Sequence, residues 1–261
     1  MILITGANGF VGQRIMETVK GAVAAPSLRN ATQEDIKRIV EESGAETIIH
    51  TAAISDMGVC ESDPEASFLA NVQIPLWIAR ASSGRKLICF SSDQVYSGSK
   101  EDGPYSEEMA APGNVYSSHK LEMEQRVLDV LPDAVMLRAE WMYDVRSPKP
   151  NYILNILRAT DRVAFSSGQY RGVTYLREVA ENMEKVISLP GGAYNFGNET
   201  TQSMYEITKQ LAALLGKNLV VEDVPPRHNL WMNCGKAKNH GVCFSDVLAG
   251  LTRCLRDYEI I

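Results

Sequence analysis

Three glycines near the start of the chain, Gly6, Gly9 and Gly12, have the spacing of a loop that binds dinucleotide phosphates. The apolar run 1–5 before them predicts a buried strand, and residues 11–19 after them show the apolar period of a helix. Gly6 permits the tight turn, Gly9 lets the backbone approach the pyrophosphate, and Gly12 lets helix and sheet pack closely. The helix N-terminus offers free N–H groups and a partial positive charge. The residues predicted to bind the cofactor here are Gly6, Asn8, Gly9, Phe10, Val11 and Gly12.

A tyrosine and a lysine in the middle of the chain have the spacing of an acid–base pair. Tyr116 and Lys120 are four residues apart and share one face of a helix. A phenol, with a pKa of about 10, is a poor acid–base group at neutral pH. An ammonium group one turn away favours the phenolate and lowers that pKa towards the working range. The alternative is a surface tyrosine and lysine on an amphipathic helix.

A serine at the end of a predicted strand adds a third chemical group. Ser92 ends the apolar run 86–92, and ligands of open parallel sheets bind at the carboxyl ends of the strands. The segment after Ser92 is predicted to be a loop, which would leave the hydroxyl free to bond a substrate carbonyl or alcohol. The alternative is a serine that caps a helix or a turn. Glycine loop, strand-end serine and Tyr-x-x-x-Lys together are more specific than any one of them.

The elements that position these groups follow an α/β rhythm through the first two thirds of the chain. Near-continuous apolar strands alternate with helical patterns, which predicts a Rossmann-type, doubly wound parallel sheet covered by helices on both faces. Thr32 and Asp35 form a capping box for one helix, and Asp63-Pro64 opens a long helix that runs through Trp77. The strands are expected at 1–5, 23–25, 47–53, 86–92 and 134–138.

Beyond Tyr143 the rhythm breaks, and Pro148 and Pro150 mark a loop. We predict a dinucleotide-binding domain over 1–150, with residues of about 171–192 packing on its sheet. A small substrate-binding lobe is predicted over 151–170 and 193–261. In this interpretation a strand at 193–196 and a helix at 203–215 start the lobe.

The composition excludes several classes of protein. The net charge of -6 argues against a nucleic-acid surface, and no apolar stretch reaches the length of a membrane span. The five cysteines include no Cys-x-x-Cys pair, so we predict reduced packing residues and neither a disulfide framework nor a metal site. Because residue 1 already starts a core strand, we expect no signal peptide and a cytoplasmic protein.

The order of these motifs resembles the extended short-chain dehydrogenase/reductase family, and within it the dTDP-4-dehydrorhamnose reductase branch. The resemblance runs from Met1 to Tyr143 and more weakly to the end. The segments that carry it, besides the glycine loop and Tyr-x-x-x-Lys, are 50–53 (His-Thr-Ala-Ala), 61–64 (Glu-Ser-Asp-Pro), 71–72 (Asn-Val), 91–96 (Ser-Ser-Asp-Gln-Val-Tyr) and 138–143 (Arg-Ala-Glu-Trp-Met-Tyr). The chain departs from the branch at Gly58, where an acid is usual, and at Glu140, where a small polar residue is usual.

The resemblance implies a role for each matching residue. Tyr116 would be the general acid that protonates a carbonyl oxygen as hydride arrives from a nicotinamide. Lys120 would hold the nicotinamide ribose and lower the pKa of the tyrosine, and Ser92 would orient the substrate oxygen. The resemblance also places Ala52 and Ala53 against the cofactor, and Ser55, Asp93 and Trp141 against the substrate.

The segment after the second predicted strand bears on the choice of cofactor. A site for NAD usually has an acid about 20 residues past the glycines to bind the ribose 2′-hydroxyl, yet no acid occurs between Lys20 and Gln33. Arg29, together with neighbouring Ser27 and Asn30, could instead hold the 2′-phosphate of NADP, as could Arg14. We therefore favour NADP, with NAD as the alternative. A solvated surface arginine is the other interpretation of each guanidinium.

The function implied by the resemblance is reduction of a keto group on a nucleotide-linked deoxysugar, with NAD(P)H as the hydride donor. One alternative is an NAD-dependent nucleotide-sugar epimerase or dehydratase that regenerates its cofactor. Another is a non-catalytic, cofactor-binding regulatory subunit similar to the beta subunit of methionine adenosyltransferase. The expected partner is a small keto substrate rather than nucleic acid or membrane, and family relatives often form homodimers through helices corresponding to about 65–82 and 114–131.

Overall fold

The predicted apolar strands lie side by side in one parallel sheet. The computed structural model describes residues 1–147, 149–226 and 228–261, so Pro148 of the predicted loop lies outside the described residues. The strands are β1 (Ile2–Thr5), β2 (Ala22–Ala24), β3 (Thr47–His50), β4 (Lys86–Ser92), β5 (Val135–Ala139), β6 (Trp141–Tyr143), β7 (Arg162–Phe165), β8 (Val173–Tyr175), β9 (Gly192–Phe196) and β10 (Val220–Asp223). The main sheet has the order β2-β1-β3-β4-β5-β9.

Helices cover both faces of this sheet, as a doubly wound α/β fold requires. They are α1 (Phe10–Thr18), α2 (Gln33–Ser43), α3 (Met57–Ser62), α4 (Pro64–Phe68), α5 (Ile74–Ala81), α6 (Val115–Val130), α7 (Tyr152–Arg158), α8 (Leu176–Glu181), α9 (Met183–Ile187), α10 (Met204–Leu214), α11 (Gly235–Lys238) and α12 (Val247–Asp257). Helices α1, α8 and α9 pack on one face, and α2, α5 and α6 pack on the other. The predicted Rossmann-type sheet is confirmed.

Successive side chains of the central strands alternate between the two faces of the sheet. Ile4 and Ile49 belong to the core beneath α1, whereas their neighbours Leu3 and Ile48 belong to the core beneath α2. Successive side chains of a strand point to opposite faces, so each of these central strands must be apolar at every position. That requirement explains the near-continuous apolar runs in the sequence.

The sixth strand corrects one prediction. Strand β9 pairs in parallel with β5, with Val135 opposite Gly192 and Ala139 opposite Phe196. Tyr194 and Phe196 of this strand are buried in the core beneath α1. The prediction that 193–196 starts the lobe is therefore wrong, because this segment gains its hydrogen bonds and its burial from β5.

The local helix signals give a mixed result. The Thr32–Asp35 capping box starts α2, and the Asp63 side chain caps α4 with Pro64 in its first turn. The single long helix predicted from residue 64 is instead α4, a π-helical turn (Leu69–Gln73) and α5. Pro75 lies at the start of α5 and has no N–H for an α-helical bond, and the N–H of Ile74 donates to the carbonyl of Leu69.

The last part of the chain adds a separate core. Helices α7, α10 and α12 pack around a cluster that includes Tyr143, Tyr152 and Tyr175. Two small parallel pairs border it, β6 with β8 and β10 with β7. Among the helices of the described chain, none has the length and apolar character needed to cross a bilayer.

Candidate active site

The glycine loop forms a close junction between β1, α1 and the segment after β3. Gly6 has a φ of +75°, and a side-chain carbon there would lie 2.7 Å from the backbone nitrogen of Ala52. A side-chain carbon on Gly12 would lie 2.2 Å from the carbonyl oxygen of Gly6. No side chain caps α1 at Gly9, so the first-turn N–H groups of this helix remain open. These features fit a bound diphosphate, which would take the place of a cap.

Asn71 orders the neighbouring segment that contains Ala52, Ala53 and Ser55. Its side-chain oxygen accepts the N–H of Ile54 at 3.2 Å, and its amide group donates to the carbonyl of Ile54 at 2.9 Å. Asn71 is fully buried in the π-helical turn. In the sequence it served only as part of the family resemblance, and the signal for this role is a buried amide within an otherwise apolar helical stretch.

Tyr116 and Lys120 lie in the first two turns of α6 and face the sheet. Their exposed fractions are 7% and 2%, which rules out the surface interpretation of this pair. The Lys120 ammonium donates to the carbonyl of Phe90 at 2.7 Å and lies 6.0 Å from the centre of the Tyr116 ring. Helix α6 thus holds both groups against the end of β4.

The hydroxyl of Ser92 forms hydrogen bonds within the protein that were not predicted. The segment after it is a 3-10 helix (Asp93–Tyr96), and the Ser92 oxygen caps this helix by accepting the N–H of Gln94 at 3.2 Å. The hydroxyl donates to the Asp93 carboxylate at 3.2 Å. The expectation of a free hydroxyl is therefore wrong, because the chain turns tightly here and its first N–H groups need an acceptor.

Burial dominates the acid–base properties of the site. It raises the pKa of Tyr116 above its ordinary value, an effect that a hydrogen bond with Ser92 opposes and the charge of Asp93 reinforces. Burial lowers the pKa of Lys120 to about 8. The expected lowering of the tyrosine pKa is thus not found in the protein alone, because burial outweighs any influence of the nearby ammonium. At neutral pH the phenol carries its proton and is available as a donor.

A cavity of about 450 Å³ lies at the carboxyl ends of β4 and β5, within the usual size range of small-molecule sites. The site residues predicted from the sequence that line it are Phe10, Ser55, Ser92, Asp93, Tyr116 and Trp141. Lys120 is buried and does not line this cavity. The structure therefore brings the predicted acid, the serine and the predicted substrate residues to one cavity.

Three further charged residues line the cavity, Arg171, Glu140 and Lys149. The Arg171 guanidinium pairs with the Asp93 carboxylate at 2.7 Å and lies 5.4 Å from the centre of the Trp141 ring. Arg171 follows no periodic pattern in the sequence, and we found no signal there that would have indicated its role. Glu140 was noted only as a departure from the branch.

A buried ion pair between Glu124 and Arg138 connects the elements around the site. The Arg138 guanidinium donates to Oε2 of Glu124 at 2.7 Å and to Oε1 at 3.1 Å, and its other nitrogen donates to the Tyr96 hydroxyl at 2.8 Å. The Ser91 hydroxyl also donates to Glu124. This network joins α6, β4, β5 and the 3-10 helix after Ser92. Two of these elements, β4 and α6, carry the catalytic candidates Ser92, Tyr116 and Lys120.

The two arginine candidates for the 2′-phosphate have different surroundings. Arg14 forms ion pairs with Asp144 and Glu17 and donates to the Tyr258 hydroxyl at 2.7 Å, which ties α1 to the C-terminal helix. Arg29 is exposed after β2, next to exposed Asn30. Of the two, Arg29 has the open position that a phosphate ligand requires.

This chain combines a doubly wound sheet, a glycine loop ahead of the first helix and a buried Tyr-x-x-x-Lys pair beside a strand-end serine. Together these features define the extended short-chain dehydrogenase/reductase class. The chain belongs more particularly to the family described as RmlD substrate binding domain, whose sequence profile matches residues 1–228.

Individual relatives agree with this assignment. The chain is 29% identical over 192 residues to a dTDP-4-dehydrorhamnose reductase of Burkholderia thailandensis, which covers 69% of this chain and 63% of that one. It is also 29% identical over 240 residues to the methionine adenosyltransferase 2 subunit beta of Xenopus tropicalis, covering 80% and 70% of the two chains.

Among solved structures, a dTDP-4-dehydrorhamnose reductase of Bacillus anthracis in complex with NADP superimposes with a TM-score of 0.85 and 21% identity, covering 98% of this chain and 97% of that one. These findings confirm the predicted resemblance, the fold class and the class of NAD(P)-dependent oxidoreductases.

Proposed function

We propose that this protein reduces a keto group on a nucleotide-linked deoxysugar, with NADPH as the reductant and Tyr116 as the general acid. The observation that carries the proposal is that Tyr116, Ser92 and Trp141 line the same cavity. An aromatic ring offers a flat apolar face to a sugar, while the hydroxyl groups bind its oxygens. Family membership and the names of the relatives give the substrate class.

The protein groups divide the work of the reaction as follows. NADPH, when bound at the glycine loop, would supply a hydride for the carbonyl carbon. Ser92 turns its hydroxyl proton from the Asp93 carboxylate to the carbonyl oxygen and fixes the direction of that oxygen. Tyr116 transfers its phenolic proton to that oxygen, so that the C=O double bond becomes an alcohol. Lys120 then stabilises the resulting phenolate, since an ammonium favours a neighbouring negative charge.

NADP is the proposed cofactor rather than NAD. The β2–α2 connection contains no acidic residue that could accept a hydrogen bond from a ribose 2′-hydroxyl. It does contain Arg29, whose guanidinium is exposed. A planar guanidinium suits phosphate oxygens through paired hydrogen bonds. Asn30 follows in the same exposed turn.

The test is oxidation of NADPH and NADH by the purified protein with dTDP-4-keto-6-deoxy-hexose, followed by near-ultraviolet absorbance. We expect sugar-dependent turnover that is faster with NADPH, and none when the sugar is left out. Clear cofactor binding without turnover would contradict the reductase proposal. Conversion of the sugar without net cofactor oxidation would indicate an epimerase or a dehydratase instead.

One observation favours a second function, that of a cofactor-binding regulatory subunit. The similarity to a methionine adenosyltransferase beta subunit covers 80% of this chain at the same identity as the similarity to the reductase. In that case the protein would bind NADPH without consuming it and would change the activity of a partner enzyme. The buried Tyr116–Lys120 pair beside Ser92 supports the reductase over this alternative.

A further inference from the structure

The side chain of Glu140 fills a space in the cavity wall where the neighbouring backbone has glycines. It lies between β5 and β6, is 4% exposed and lines the cavity beside Trp141. A side-chain carbon on Gly172 would lie 2.1 Å from its Oε2 atom, and one on Gly197 would lie 2.3 Å from the same atom. The carboxyl group therefore packs directly over two glycines, and a residue with a side chain at either position would displace it.

In the part of the chain that the structure describes, the side-chain hydrogen bonds of Glu140 use only one of its two oxygens. The Thr174 hydroxyl donates to Oε2 at 2.9 Å. That hydroxyl in turn accepts the N–H of Asn198 at 3.0 Å, which leaves its proton directed at Glu140. Within residues 1–147, 149–226 and 228–261 no hydrogen bond reaches Oε1. The nearby Arg171 guanidinium donates to Asp93, and in the described part of the chain it makes no hydrogen bond to Glu140.

The surroundings favour the neutral form of this carboxyl group. Burial raises the pKa of Glu140 well above its ordinary value, and the charge of Asp93 raises it further, against the opposing hydrogen bond of Thr174 and charge of Arg171. Glu199, which follows β9, adds a further negative charge. The thiol of Cys234, before α11, is held neutral because burial raises its pKa. Since Oε2 accepts from Thr174, the proton of a neutral Glu140 belongs on Oε1.

We infer that Glu140 is a specificity-determining residue that donates a hydrogen bond from Oε1 to an oxygen of the bound sugar. The inference rests on the proposed function, because it takes the cavity to be the sugar site. Such a donor favours substrates with a hydroxyl or carbonyl oxygen facing Glu140. It disfavours substrates with an ammonium group or a deoxygenated carbon at that position. A site built to bond a polar group rejects the analogue that lacks it, because its own buried donor is then left without a partner.

The test compares two variants of nearly equal size in the full-length protein. Glu140→Gln keeps a neutral donor, while Glu140→Met removes it. Binding of dTDP-L-rhamnose, the reduced form of the proposed kind of substrate, is measured by calorimetry in the presence of NADP. We expect Glu140→Gln to bind within threefold of the wild type and Glu140→Met to bind at least tenfold more weakly. Binding of NADPH alone is expected to be equal in all three proteins and serves as the control for folding.

Several results would overturn the inference. If both variants lose binding equally, the site uses the charged carboxylate; if neither loses it, Glu140 only fills space. The pH dependence gives a second readout, and Glu140→Gln separates the titration of Glu140 from those of Lys120 and Asp93. Wild-type binding that tightens with rising pH relative to Glu140→Gln would also refute a donor role. A wild-type protein that binds NADPH but not dTDP-L-rhamnose would refute the proposed function itself, and this inference with it.

Discussion

The buried pair of Glu124 and Arg138 allows a quantitative prediction about the support of the site. Glu124→Gln keeps the size of the side chain but removes its charge. Both side chains are at most 5% exposed, and Glu124 is the carboxylate that pairs with the Arg138 guanidinium. Breaking such a pair costs about 3–5 kcal/mol because the remaining charge stays buried. The glutamine oxygen retains one acceptor, so we expect a loss of about 3 kcal/mol in the free energy of unfolding.

The assay is urea unfolding of wild type and variant, followed by circular dichroism. Two controls calibrate it. Glu122→Gln in the exposed Glu122–Arg126 pair on the same helix is expected to cost less than about 1 kcal/mol. The double variant Glu124→Leu/Arg138→Met is expected to recover most of the loss, because an apolar pair leaves no buried charge.

The reasoning would be refuted by a Glu124→Gln variant as stable as the Glu122→Gln control. It would also be refuted by a double variant less stable than Glu124→Gln. The first result would mean that the buried charge is compensated elsewhere, and the second that the pair itself supplies net stability.

Three further predictions concern the catalytic and cofactor residues. Tyr116→Phe is expected to lower turnover by about 10²-fold or more while NADPH affinity stays the same, because only the transferred proton is lost; persistent turnover would disprove the acid assignment. Lys120 has a folded pKa of about 8 against an ordinary value of 10.5, so the unfolded chain binds more protons between these values and its contribution to stability should rise with pH across that window. Comparison of wild type with Lys120→Met in urea at pH 7.5 and 10 checks this, and equal stability differences at both pH values would contradict the burial argument. Arg29→Ala is expected to weaken binding of NADPH and spare that of NADH, measured by fluorescence titration, and equal losses for both cofactors would exclude contact with the 2′-phosphate.

The features that sequence reasoning placed correctly are those made by neighbours along the chain. The Thr32–Asp35 capping box and the Asp63 cap with Pro64 each depend on side chains and backbone groups within three residues. The shared face of Tyr116 and Lys120 follows from helical spacing alone. Such contacts form whatever the rest of the fold does, so the sequence reports them directly.

The errors occurred where a distant segment or an unrecognised local turn decided the outcome. Strand β9 pairs with β5 more than 50 residues earlier in the chain, and nothing within residues 192–196 indicates that partner. Ser92 caps a 3-10 helix, which was the alternative that the local sequence left open. The pKa of Tyr116 depends on how deeply α6 is buried, a quantity that spacing along a helix does not contain.

The sequence by itself determined the α/β class, the glycine loop and the acid–base pair of this protein, because these depend on alternation, helical period and local backbone chemistry. The tertiary structure decided which charges meet. Arg171 pairs with Asp93 across 78 residues, Arg138 with Glu124 across 14, and Glu140 packs over Gly172 and Gly197. The physical reason is that the protonation and hydrogen bonding of a buried group are set by all the elements around it. Those elements come together only when the chain has folded.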